Sequence, residues 1–208
     1  MIITTEITGQ VGEQNLAAGI AARPSMSKRG GWAVSPAFRE AVEAGKAFAV
    51  CNQAGVTSQA GLSATTPVLT LYNPAGSGVN GFLHFAGATF SVAFAAAAGI
   101  FLAVGSDATA AAVTGTLTTA HRNLKLGGPR PTIQTLLAAT LPAAPVAVAL
   151  LGVGLTGAIT TVPQLQSLGR WFDGSLIIAP GTNVSIQTGT ASGASGTFCE
   201  FIWEEQPQ

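Results

Sequence analysis

From Lys46 to the C-terminus, apolar and polar positions alternate in short runs that Gly, Pro, Asn and Ser break apart. Period-two alternation bounded by such residues predicts strands. The pattern places them at Ala47–Asn52, Val68–Tyr72, Gly81–Phe85, Thr89–Phe94, Ile100–Val104, Val113–Thr119, Val146–Leu151, Leu168–Phe172, Ser175–Ile178, Val184–Thr188 and Thr197–Trp203. Tyr72-Asn-Pro-Ala-Gly-Ser-Gly78 reads as a turn cluster. In Ile178-Ala-Pro-Gly-Thr182, Pro180-Gly181 suits the central positions of a type II turn. One helix is predicted, over Ser35–Gly45: Ser35 caps it, Pro36 takes the first position, and Gly45 supplies a left-handed end. Phe38 and Val42, four apart, give it a single apolar stripe, so it is a lid or spacer rather than a core. Many short strands with no helix between them predict an all-β fold, a jelly-roll-like β-sandwich over 46–208. Residues 1–45 form an N-terminal arm with that short helix at 35–45.

Two windows, Phe82–Gly105 and Leu136–Ile159, are apolar enough to span a bilayer. Their internal detail argues for strands. The first alternates, with Phe90, Val92 and Phe94 on one face and Gly87 and Gly99 as breaks; Pro142, Pro145, Gly152, Gly154 and Gly157 cut the second into strand-length pieces. Neither has the flanking basic asymmetry or aromatic belts of a membrane segment. A small membrane-inserted protein is therefore the rival from another class.

Charge changes the picture more than any motif. No Lys, Arg, Asp or Glu occurs in the 56 residues from Cys51 to Ser106, nor in the 39 from Pro131 to Gly169. Charged residues make up 9% of the chain and balance to zero, whereas soluble monomers keep a mixed charged surface and a net charge away from zero. Much of the surface is thus expected to face protein, and the strands to bury a face in a homo-oligomer. The same balance offers no field for nucleic acid. Cys51 and Cys199 are expected to be a pair of buried, reduced thiols, and no secretory signal is visible at the start.

Candidate chemistry is thin. Gly152-Val-Gly-Leu-Thr-Gly157 matches the dinucleotide fingerprint after a strand-like run, with Asp173 downstream. The β-branched, proline-broken segment that follows cannot open the required helix, so a glycine-rich loop between strands is the better reading. His84 lies between Leu83 and Phe85 and reads as a core or interface imidazole. Glu200, Glu204 and Glu205 read as solvating the ends of the last strand. His121-Arg-Asn-Leu-Lys125 with Arg130 forms a basic cluster suited to an acidic patch on a partner. No metal, nucleophile or phosphate-loop motif occurs. The expectation is no enzyme, no catalytic residue, no cofactor, no metal and no small-molecule substrate.

The stretch Leu168–Thr188, with its Pro-Gly turn and returning Val/Ile/Thr alternation, and the ending Phe198-Cys-Glu-Phe-Ile-Trp-Glu-Glu205 resemble the closing strands of jelly-roll virion structural proteins of tailed bacteriophages. Glu43–Phe48 and Ala64–Asn73 suit the first strands of the same sandwich. The resemblance implies a capsid cement (decoration) protein, a trimer on the capsid surface that is made in the bacterial host cytoplasm and clamps neighbouring major capsid subunits. A tail or head fibre, or a baseplate module binding a host receptor, is the rival within that class. Arg23, Lys28, Arg29 and Trp32 of the arm, with Arg122, Lys125 and Arg130, are the candidate contacts to the capsid or a neighbouring subunit; Phe90, Val92 and Phe94 are the candidate oligomer or core face.

Overall fold

The computed structural model describes residues 37–91, 98–105, 113–154, 168–191 and 196–208. In order these form α1 (Ala37–Glu43), β1 (Ala47–Cys51), β2 (Leu69–Tyr72), β3 (Val79–Phe90), β4 (Ala98–Gly105), β5 (Thr114–Leu117), β6 (Arg122–Asn123), β7 (Gln134–Thr140), β8 (Val146–Gly154), β9 (Leu168–Ile178), β10 (Asn183–Thr188) and β11 (Thr197–Pro207). Two antiparallel sheets pack face to face, ordered β6-β1-β11-β3-β9 and β5-β7-β2-β10-β4-β8.

With β5–β7 set aside, the remaining eight strands pair first with last: β1 with β11, β2 with β10, β3 with β9 and β4 with β8. This is one long antiparallel ribbon, coiled so that β11 also meets β3 and β10 also meets β4. That wrapping is the jelly roll, and the all-β sandwich expected from alternation is what forms. The segment carrying β5–β7 is inserted between β4 and β8. It lengthens the sheets beyond β1 and beyond β2, at the end opposite β8 and β9.

Alternation explains the core. Phe48 and Val50, Leu69 and Leu71, Ile100 and Leu102, Val184 and Ile186, and Phe201 and Trp203 all point between the sheets and are essentially sealed from water. At about 25 cal/mol per Å² of apolar area, these rows supply the bulk of the stabilisation. The helix ends as its sequence demands. Gly45 adopts φ +74°, its N–H donates to Val42 O, and Lys46 N–H donates to Ala41 O, closing a Schellman turn. Phe38 stacks on His84 with ring centroids 4.3 Å apart. The Pro180-Gly181 turn is likewise as expected, with Gly181 at φ +84° and Thr182 N–H donating to Ala179 O.

Several boundaries differ from the sequence reading. Gly87 and Gly99 lie within β3 and β4 rather than breaking them, because aromatic rings fill the space a side chain would take. A Cβ on Gly87 would come within 2.7 Å of the Phe85 ring, and one on Gly99 within 2.6 Å of the Phe101 ring. Phe172 and Ser175 belong to one strand, β9. Between them Asp173 (φ 49°) and Gly174 (φ 77°) form an irregularity opposite His84, not a turn. Gly152 and Gly154 belong to β8 rather than to a loop. At Gly152 the missing side chain makes room for Leu168 of the facing sheet edge, 2.6 Å from where a Cβ would sit. Glu204 and Glu205 are buried instead of solvating a strand end, because β11 continues to Pro207. Cys199 is buried and Cys51 is exposed. The two lie at neighbouring positions across the β1–β11 ladder but on opposite faces of the sheet, so the expected buried pair does not exist. Ser35, Pro36, Val92, Phe94 and residues 155–157 of the glycine pattern lie outside the described residues.

Three buried asparagines hold the loops. Asn52 Nδ2 donates to Ala54 O and Thr197 O. Asn123 Nδ2 donates to Gly45 O and Pro129 O. Asn73 Nδ2 donates to Val79 O and Ile178 O, both at 2.8 Å, while its backbone pairs with Thr182 and Gly181. Asn73→Ala therefore leaves buried carbonyls unpaired at the junction of β2, β3 and β9. Urea unfolding is expected to show a loss of about 2–3 kcal/mol.

Candidate interaction surfaces

The exposed apolar side chains are not scattered. Of the eight large ones among the described residues, Val146, Val148, Leu150 and Val153 lie on β8 and Trp171 and Ile177 on β9; only Leu117 and Leu126 lie elsewhere. β8 and β9 are the adjacent edge strands at one end of the two sheets. Val146, Val148 and Leu150 alternate with half-buried or buried Ala147, Ala149 and Leu151, so they form one outward row. On the other sheet, Ala49, Ile202, Phe85 and Trp171 line up across four strands, and Phe85 stacks on Trp171 at 4.9 Å. No Lys, Arg, Asp or Glu lies on β8 to guard it, as edge strands of monomers usually require, whereas β9 carries the exposed Arg170 and Asp173.

The opposite end is cationic. The loops of the insertion enclose a cleft of about 250 Å³ lined by His121, Arg122, Asn123, Leu126, Arg130 and neighbouring glycines and prolines. Arg122 is exposed, and its Nη1 donates to Thr119 O at 2.7 Å and His121 O at 2.8 Å. Arg130 is exposed and has no hydrogen-bond or ion-pair partner among the described residues. Lys125, grouped with them by sequence, does not join the cleft: its Nζ donates to Glu43 O at 2.8 Å and caps the helix end. Thr135 Oγ1 gives its one proton to Thr118 O at 3.0 Å, so it accepts from His121 Nδ1–H at 3.1 Å. Burial, chiefly, and then the Arg130 and Arg122 guanidiniums hold His121 below the usual imidazole range, against a Thr118 backbone hydrogen bond and the Glu205 charge.

The sign of this shift is testable. Because folding lowers the proton affinity of His121, the unfolded chain binds more protons as pH falls through the ordinary imidazole range near 6.5, and acidification there favours unfolding. An NMR titration should place the His121 midpoint below that value, and Arg130→Gln should raise it.

The remaining predicted residues fall elsewhere. His84 is buried, with Nε2 3.3 Å from Glu204 Oε2, beneath Phe38. This is the core or interface imidazole expected, here bridging helix and sheet. Phe90 belongs to the core between the sheets. Arg23, Lys28, Arg29 and Trp32 lie outside the described residues. Leu126 at the cleft rim and Trp171 on β9 were missed by sequence reasoning; each stands near another large apolar residue, Leu124 and Phe172 respectively, and only exposure tells which of them faces out.

Fold and surfaces together define a jelly-roll sandwich with an apolar end, charged only at Arg170 and Asp173 of β9, and a cationic end. No protein-family model, curated protein or solved structure matches the chain. Among the described residues no helix is long and apolar enough to cross a membrane. Phe82–Gly105 and Leu136–Ile159 fall on β3, β4, β7 and β8 where they are described.

Proposed function

We propose that the chain is a non-enzymatic virion structural protein of a tailed bacteriophage, a capsid cement protein that trimerises and clamps neighbouring major capsid subunits. The observation that carries this reading is the separation of its two surfaces on a jelly-roll frame. The apolar edge, whose outer strand β8 carries no charge, suits burial against second copies of the chain around a three-fold axis. The cationic insertion, at the far end, is then free to meet another protein. An obligate interface of on the order of 2,000 Å² or more would cover the β8–β9 rows and offset the cost of association. The arm residues Arg23, Lys28, Arg29 and Trp32 are placed with the insertion as capsid contacts in this proposal. The mechanism is adhesive: apolar burial within the trimer and charge pairing at the capsid.

The experiment is cosedimentation with heads of the encoding phage assembled without this protein. Binding that saturates at a fixed ratio to the major capsid protein is expected. Heads that leave the protein in the supernatant at micromolar concentration would refute the assignment.

A further inference from the structure

We infer that the cleft between Arg122 and Arg130 receives a carboxylate from an acidic segment of a protein partner. The inference deepens the proposed reading and rests on it for the identity of the partner, but the site itself follows from the geometry.

The cleft is built rather than incidental. Asn123, buried at its base, donates to Pro129 O on one wall and to Gly45 O beneath, and accepts the Lys125 N–H. Gly128 packs directly on that amide, where a Cβ would come within 2.7 Å. Pro129 and Pro131 restrict the same wall. The loop is therefore held in place before any ligand arrives, which removes part of the ordering cost of binding.

Its donors are unspent. Arg122 uses only Nη1 on backbone carbonyls, leaving Nε and Nη2 to a ligand. Among the described residues nothing engages the Arg130 guanidinium. Arginine forks match carboxylate oxygens two at a time, which is how such groups recognise acids. His121, held below its usual range, is neutral near pH 7, so the formal charge of the cleft is that of the two arginines. Two cations in about 250 Å³ fit one or two acidic side chains. They do not make the extended cationic track that a polyphosphate backbone needs, and the chain as a whole has no net charge. Leu126, 87% exposed at the rim, offers an apolar contact to the residues flanking the acid.

The test uses the full chain and a fluorescein-labelled hexaglutamate peptide, read by anisotropy at pH 7 and about 25 mM salt, where surface electrostatics are least screened. Saturable binding is expected, weakened roughly tenfold or more by Arg130→Glu, a change at an exposed residue that supports nothing in the fold. Arg170→Glu, on β9 at the far end, should leave the affinity unchanged. The inference is overturned if the wild type does not bind, if Arg130→Glu binds equally, or if Arg170→Glu weakens binding as much. It is also overturned if a labelled twelve-residue oligothymidylate binds more tightly than the peptide and depends on Arg130, which would reassign the cleft to nucleic acid. None of these results bears on oligomer mass or head binding, so the failure of the cleft and the failure of the cement reading stay separable.

Discussion

Glu205→Ala is expected to destabilise the fold by about 3–5 kcal/mol, the largest effect of any single polar truncation among the described residues. The carboxylate is buried and fully used: Oε2 accepts the Thr132 N–H at 2.9 Å, and Oε1 accepts the Ile133 N–H at 2.9 Å and the Trp203 Nε1–H at 3.1 Å. It thus fastens the inserted segment to the last strand and fixes the largest ring of the core. Alanine strands two buried donors and a part-buried one at once. Glu205→Gln restores them only in part, because its amide oxygen can accept from Ile133 and Trp203 while its nitrogen faces the Thr132 N–H, where an acceptor is needed. A drop in melting temperature of roughly 10 °C is expected for a domain of this size. Loss of hydrogen-exchange protection should begin at Thr132–Gln134, since the insertion detaches before the sandwich opens. A variant as stable as wild type would show that the insertion is held by other contacts.

The second large effect concerns assembly. Val148 and Leu150 are 49% and 53% exposed, so aspartate at either costs the isolated chain little. In an interface, each would bury an unpaired charge at several kcal/mol. The double variant Val148→Asp, Leu150→Asp is therefore expected to weaken self-association about a hundredfold or more while keeping the wild-type circular dichroism spectrum. A double variant that assembles like wild type would remove β8 from the interface.

How much of this was legible in the sequence follows from where the information resides. Strands such as β1, β4 and β10 announce themselves by alternation between glycine, proline and asparagine breaks, and a sandwich follows from their number. The order in which they wrap does not, because pairing β1 with β11 depends on residues as far apart as Ala47 and Glu204 that carry no local mark. β6 is two residues long, and Gln134–Thr140 has little alternation, so of the insertion only β5 was read as a strand and the part that builds the cationic cleft only as a basic cluster in a loop. Glycine was over-read as punctuation: Gly87, Gly99 and Gly152 serve close packing inside strands. The buried polar groups were the least visible. Asn73 and Asn123 look like turn residues, and Glu205 looks like a solvated strand end, until their partners from distant loops are in place. Of the cleft, Arg122 and Arg130 were legible as charges in an otherwise uncharged chain. The diversion of Lys125 to the helix end was not.

In the proposed function the chain is an adhesive trimer. The most direct test is the light-scattering mass of the protein after size exclusion without detergent. The account predicts a single species at three times the 20.8 kDa chain mass. A species that stays at 20.8 kDa when concentrated to tens of micromolar, well above the range in which an obligate interface holds, would contradict it.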